Sequence, residues 1–136
     1  MKYQVKTSEE VQDALDTGKA VVALESTIFS NLGLPSPSNE EALNRCFSAV
    51  RKAGAVPALT AVLDGDLCAG VNPDAQERIL ESTTKVAARD LSTSVAKKLS
   101  VGATTVSASL VIASALGIEV FATGGIGGVH RGADVT

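Results

Sequence analysis

Ala20-Val21-Val22-Ala23-Leu24 is an unbroken apolar run set between Gly18 and the polar Glu25-Ser26-Thr27. Such a run predicts a strand buried on both faces, and a strand of that kind needs helices above and below it. The flanking sequence supplies them. Ser8 caps a short helix over residues 9–16, with Glu9 and Glu10 in its first turn, Val11, Ala14 and Leu15 as its apolar stripe and Gly18 as its stop. After a loop punctuated by Gly33, Pro35 and Pro37, Ser38 and Glu41 spell a capping box for a second helix reaching Lys52. Its inner face is Ala42, Leu43, Cys46, Phe47 and Val50.

Gly54 stops that helix, and residues 56–63 read as a second strand. Asp64-Gly65 is a tight-turn signal, so residues 67–71 fold back as a hairpin partner. Asn72-Pro73 opens a helix to Ser82 as cap and first-turn proline, with Ile79 and Leu80 inward. Residues 84–86 form a short strand or extended link. A helix over residues 91–100 closes at Gly102, and a second over 105–115, apolar on most sides, is deeply packed. Residues 118–122 are the last strand. The alternation predicts a three-layer α/β/α domain with a mixed sheet. The chain ends at Thr136, where a glycine loop should pass into a helix, so residues 1–136 read as the N-terminal part of a single domain truncated at its C-terminus.

That closing loop is the second constraint. From Gly124 to Gly132, five of nine residues are glycine, followed or interrupted only by Ile126, Val129, His130 and Arg131. Glycines gather where a backbone needs positive φ or must approach something closely. Bare amides and a guanidinium both bind anions, so the loop suits a phosphorylated small molecule; a plain strand-to-helix turn is the alternative. Two familiar phosphate loops fail on spelling. Counting G-x-G-x-x-G from Gly125 puts His130 in the sixth position, and the Walker spacing from Gly127 to Gly132 is followed by Ala133 instead of lysine.

Composition excludes further classes. A net charge of −3 and 3% aromatic residues offer neither a basic footprint nor stacking platforms for a nucleic-acid polymer. Cys46 and Cys68 are unpaired in spacing and read as reduced thiols of a cytoplasmic protein. The first six residues lack the apolar core of a secretory signal, and the apolar stretch 101–122 is broken by Gly117 and Glu119, so no membrane span is expected.

Among residues that could do chemistry, Glu25 leaves the end of a buried strand. Partial desolvation there favours the protonated form and suits a proton donor; a carboxylate that merely bonds loop amides, Ser26 or Thr27 is the other reading. Lys85, between apolar neighbours, is a phosphate or sugar ligand or an ordinary sheet-edge lysine. Arg89-Asp90 reads as a local ion pair or helix start. Residues 102–106 bring small and hydroxyl side chains to a helix N-terminus, where free amides attract anions. The single histidine, His130, makes neither a metal cluster nor a Ser-His-Asp set.

Ala23-Leu24-Glu25-Ser26-Thr27-Ile28, Gly54-Ala55-Val56-Pro57-Ala58, Thr84-Lys85-Val86, Gly102-Ala103-Thr104-Thr105-Val106 and Phe121-Ala122-Thr123-Gly124-Gly125-Ile126-Gly127-Gly128-Val129-His130-Arg131-Gly132 occur together and in order. In them the chain resembles the pseudouridine-5'-phosphate glycosidase family, also called indigoidine synthase A-like, over the family's N-terminal half. The resemblance implies reversible cleavage of the C–C glycosidic bond of pseudouridine 5'-phosphate to uracil and ribose 5-phosphate. It implies a homotrimer, a manganese ion, and a lysine that attacks C1' as a Schiff-base nucleophile while a glutamate protonates the ring oxygen. That glutamate falls on Glu25; substrate contacts fall on Lys85 and Val106, and His130 lies in the matching loop.

The departures are informative. The family's nucleophilic lysine and manganese-binding aspartate lie beyond residue 136, and Lys85, Lys97 and Lys98 do not match the nucleophile's motif. Residues 30–35 lack the histidine that many members carry, and Ala87-Ala88 stands where bacterial members have Ser-Arg. In some eukaryotes the family is fused to a ribokinase-like sugar kinase, which makes the phosphorylated substrate. The expected activity is therefore a glycosidase whose half-domain is inactive alone. A truncated product that binds or assembles without turnover is the alternative, and a nucleotide-binding module is the weakest reading.

Overall fold

A computed structural model of the chain describes residues 3–129 and 131–135. Its elements run β1 (Val5–Thr7), α1 (Glu9–Thr17), β2 (Val21–Leu24), α2 (Ser38–Lys52), β3 (Val56–Leu63), β4 (Asp66–Ala69), α3 (Pro73–Leu80), β5 (Lys85–Val86), α4 (Leu91–Ala96), β6 (Val101–Thr104), α5 (Val106–Leu116) and β7 (Val120–Ala122). Single 3₁₀ turns follow β2 and β5, at Thr27–Phe29 and Ala88–Asp90. The strands form one mixed sheet. One face packs Val11, Leu91 and Ile112 against Val56, Ala58 and Val62; the other packs Leu43 and Ile79 against Leu59 and Ala61. Helices α1, α4 and α5 thus cover one side and α2 and α3 the other, which is the three-layer α/β/α arrangement expected. None of the described helices is long and apolar enough to cross a membrane.

The central strand is β3. One edge pairs antiparallel with β4 from Thr60↔Ala69 to Leu63↔Asp66. Asp64 and Gly65 both take positive φ, 51° and 83°, which the two-residue turn between these strands requires. Arg78 of α3 clamps that turn through both Asp64 carboxylate oxygens, at 3.0 and 2.8 Å, and the guanidinium holds the Asp64 carboxyl below its ordinary range. Along its other edge β3 serves two strands in succession. It pairs parallel with β2 from Val56 to Leu59, then antiparallel with β6 from Ala61 to Leu63. Strands β2 and β6 therefore meet head-on at their carboxyl ends, where the Ser26 N–H donates to the Thr104 carbonyl at 3.2 Å.

Four buried hydroxyls fasten this junction. Ser26 Oγ accepts the Thr104 N–H at 2.8 Å and lies 3.0 Å from Thr104 Oγ1. Thr60 Oγ1 donates to the Leu24 carbonyl at 2.9 Å and lies 2.8 Å from both Thr104 Oγ1 and Ser109 Oγ. All four residues are fully buried, and among the described residues no buried side-chain oxygen or nitrogen lacks a partner. Satisfied in this way, a polar cluster rigidifies its surroundings instead of weakening them.

Several elements differ from the sequence reading. The capping box at Ser38 and Glu41 does not form: Pro37 occupies the cap, and helical bonding starts a residue early, with the Glu41 N–H donating to the Pro37 carbonyl. The helix expected over residues 91–100 stops at Ala96, because Lys98 takes a left-handed backbone with φ 49° and the chain turns into β6. Gly102 is thus not a helix stop. It sits inside β6, where a Cβ would come within 2.5 Å of the Val86 side chain, so the residue permits close strand packing. Helix α5 is buried only on its sheet-facing side, at Ala108, Ser109, Ile112 and Ala113, while Leu110 stays 43% exposed. Strand β1, parallel to β4, had no counterpart in the sequence reading.

Replacing Thr60 by valine keeps the shape but removes the hydroxyl on which Leu24, Thr104 and Ser109 converge. Urea unfolding should show a loss of about 1–3 kcal/mol; an unchanged unfolding free energy would mean the hydroxyl cluster does not fasten β2 to β6.

Candidate active site

Strands β2 and β7 are parallel neighbours with Leu24 opposite Ala122. Each ends in a polar residue, Glu25 and Thr123, and this register sets the two side by side. The Thr123 hydroxyl bonds Glu25 Oε1, lies 3.0 Å from the Gly125 carbonyl and accepts the Gly125 N–H at 3.3 Å. The hydrogen-bond partner of the Glu25 carboxyl is therefore the first turn of the glycine loop. Ser26 and Thr27 are engaged elsewhere: Ser26 with Thr104, and Thr27 through its hydroxyl with the Thr104 carbonyl at 2.8 Å.

Half-buried Glu25 lines a cleft of about 300 Å³ between the end of β2, the turn after it, α2 and the start of the glycine loop. Its walls are largely apolar, from Ile28, Phe29, Leu34, Ala42 and Cys46, with Glu25 and Thr123 as the polar groups. A concave apolar site with a few convergent polar groups is the usual form of a small-molecule pocket. Beyond Gly125 the loop is open: Gly127 and Gly128 take φ 79° and 81°, and a Cβ on either would meet nothing within 4 Å. Those glycines serve backbone direction, not close approach.

Of the other expected residues, neither Lys85 nor Val106 lines this cleft; both lie across the junction of β2 with β6. Lys85 pairs in register with Ala103 and its side chain is exposed. The Thr105 N–H donates to the Val86 carbonyl, which brings the end of β5 to the start of α5. Val106 is the first residue of α5, behind Thr105 at the cap, and no side chain caps that helix start at the end of β6. The carboxyl ends of β2, β5, β6 and β7 thus converge. His130 lies outside the described residues. Arg89 and Asp90 form a local pair at 3.8 Å, and the Asp90 carboxylate accepts the Ala87 N–H at 2.9 Å as the chain enters α4.

Among the described residues no three His, Cys, Asp or Glu side chains come together as a metal site. Among the described residues lining the cleft Glu25 is the one carboxylate, and a manganese ion needs several oxygen ligands, so those residues by themselves do not fit a manganese ion. Sequence reasoning missed Thr123 and Cys46. The signal for Thr123 was present: it is the first polar residue after an apolar strand, as Glu25 is after β2. Cys46 counted only as a core position.

Residues 10–136 match the family model described as indigoidine synthase A like protein. A pseudouridine-5'-phosphate glycosidase of Myxococcus xanthus is 48% identical over 132 residues, covering 95% of this chain and 43% of the relative. One from Arabidopsis thaliana is 50% identical over 137 residues, covering 98% of this chain and 41% of the relative. Among solved structures, the prealnumycin C-glycosynthase AlnA in complex with ribulose 5-phosphate superposes with a TM-score of 0.81 at 38% identity, over 96% of this chain and 42% of its own. An indigoidine synthase A-like protein of Thermotoga maritima gives 0.81 at 34% identity, over 98% and 43%. The chain spans about two-fifths of the length of these relatives.

The two thiols should separate chemically. Burial pushes the Cys68 thiol up to about 11, so it stays protonated and unreactive, whereas Cys46 opens on the cleft. At about pH 8 a thiol-alkylating reagent should label Cys46 and spare Cys68 in the folded chain, read by peptide mass spectrometry. Equal labelling of both would contradict this packing.

Proposed function

The chain belongs to the indigoidine synthase A-like family, and from that premise we propose that it carries the proton-donating part of a C-glycosidase. The reaction is reversible cleavage of pseudouridine 5'-phosphate to uracil and ribose 5-phosphate. The observation that carries the reading is the Glu25 carboxyl at the rim of an apolar cleft, joined through Thr123 to an open glycine loop. A C–C bond to a base has no heteroatom leaving group, so the sugar must first open. Glu25 gives its proton to the ring oxygen as the C1'–O bond breaks and that oxygen keeps the bonding pair. C1' is taken by a lysine nitrogen to give a secondary amine. When the C1'–C bond breaks, the base leaves with the bonding pair and takes up a proton, while the nitrogen lone pair closes a C1' iminium that water hydrolyses to ribose 5-phosphate.

Lys85, the segment at Thr105 and Val106, and His130 contact the sugar phosphate on this reading. Support comes from the uncapped α5 terminus, a place that favours anions, and from the sugar phosphate bound by the C-glycosynthase of similar fold. The nucleophilic lysine and the ligands of a manganese ion belong to family sequence beyond residue 136, and no step here passes through the metal. The same reading carries a cytoplasmic, homotrimeric assembly and a ribokinase-like sugar kinase that supplies the phosphorylated substrate. A second reading is binding or assembly without turnover.

Two assays separate these readings. The 136-residue chain with pseudouridine 5'-phosphate and manganese should release no uracil, and turnover would place the nucleophile within it. Continued with the remaining part of the Myxococcus xanthus relative, it should turn over. In that chimera Glu25→Gln should lower kcat by roughly 10²–10⁴-fold with KM little changed. An unchanged kcat removes Glu25 from the chemistry, and a silent parent chimera favours the second reading.

A further inference from the structure

Thr123 carries one hydroxyl proton, yet the structure sets two acceptors against it. Its Oγ1 contacts Glu25 Oε1 and lies 3.0 Å from the Gly125 carbonyl oxygen, while accepting the Gly125 N–H at 3.3 Å. A hydroxyl donates one proton. Opposite a charged carboxylate, that proton goes to Glu25, and the Gly125 carbonyl faces an oxygen with nothing to donate. Opposite a protonated carboxyl, Glu25 donates to Thr123, Thr123 donates to the Gly125 carbonyl, and every close contact is a hydrogen bond.

The geometry points to Thr123 as the positioning residue for the Glu25 acid, one whose hydroxyl passes the carboxyl's protonation state on to the hydrogen bonds of the turn opening the glycine loop, while the proton itself remains available to the substrate. This rests on the reading of Glu25 as the proton donor. When Glu25 has given up its proton, Thr123 can serve either the carboxylate or the Gly125 carbonyl but not both, so the first turn of the loop loosens in step with proton donation. The surroundings leave this relay isolated. Leu24 from β2, Ile28 and Phe29 from the following turn, Ala42 from α2 and Ala122 from β7 are uncharged. The Cys46 thiol of α2 is the one other titratable group among the described residues lining the cleft.

The test reads the chain itself and needs no turnover. The Glu25 carboxyl carbon and the amides of residues 124–128 are followed by NMR across the range in which carboxyl groups take up protons, in the parent chain and in Thr123→Ser, Thr123→Val and Glu25→Gln. In the parent and in Thr123→Ser, the Gly125 amide should shift along the same curve as the Glu25 carbon. In Thr123→Val that shift should be lost while the Glu25 carbon still titrates. In Glu25→Gln the Gly125 amide should sit at the parent's acid limit at every pH, because the glutamine N–H donates to Thr123 as the protonated carboxyl does. A Gly125 amide that titrates in Thr123→Val as in the parent, or a Glu25→Gln spectrum at the parent's basic limit, overturns the relay. Should Thr123→Val fail to fold, the serine and glutamine variants decide the same question. A broken relay in a chain whose chimera turns over leaves the proposed function standing, and an intact relay with a silent chimera does the reverse.

Discussion

Two strands that run toward each other cannot both continue, and here their collision is held by hydroxyl groups. Strands β2 and β6 meet at Ser26 and Thr104, and β3 beneath them contributes Thr60 to the same knot. Backbone bonding alone would leave this junction weak, since parallel and antiparallel ladders change over at one point of β3. Buried oxygens in an apolar interior bind one another more strongly than they would in water, provided each has a partner. Each does.

The site follows from that junction. Fixing the end of β2 fixes where Glu25 leaves the sheet, and the parallel register with β7 delivers Thr123 beside it. Fixing the end of β6 places the start of α5 in the same region, and β5 comes with it through the Thr105–Val86 bond. A carboxyl and the opening of a glycine loop therefore share one cleft at the ends of β2 and β7, and the ends of β5 and β6 abut the end of β2 within the sheet. The cleft is apolar because α2 and the turn after β2 cover its other side.

Much of this was legible in the sequence, for local reasons. The run ending at Leu24, the strand over residues 56–63, the Asp64-Gly65 turn and the Asn72-Pro73 helix start each carry their own chemistry, and each forms as read. Glu25 stood out because a carboxylate ending an apolar strand has few other uses. What was not legible depends on distant residues. Strand β6, Val-Gly-Ala-Thr, has neither length nor bulk, and its glycine reads as a helix stop because its packing against Val86 is invisible in the local sequence. The Ser38 box failed because Pro35 and Pro37 set the helix start first. Thr123 became visible only with the β2–β7 register, since Glu25 and Thr123 are 98 residues apart.

On the function proposed above, a sugar phosphate occupies the space between the carboxyl at the end of β2 and the glycine loop. Titration of the isotope-labelled chain with ribose 5-phosphate, followed by amide chemical shifts, tests it directly. The account predicts perturbations confined to Glu25, Thr123, residues 124–128 and the start of α5. Perturbations confined instead to the groove formed by Pro37, Glu41 and Arg45 on α2's outer side would contradict it.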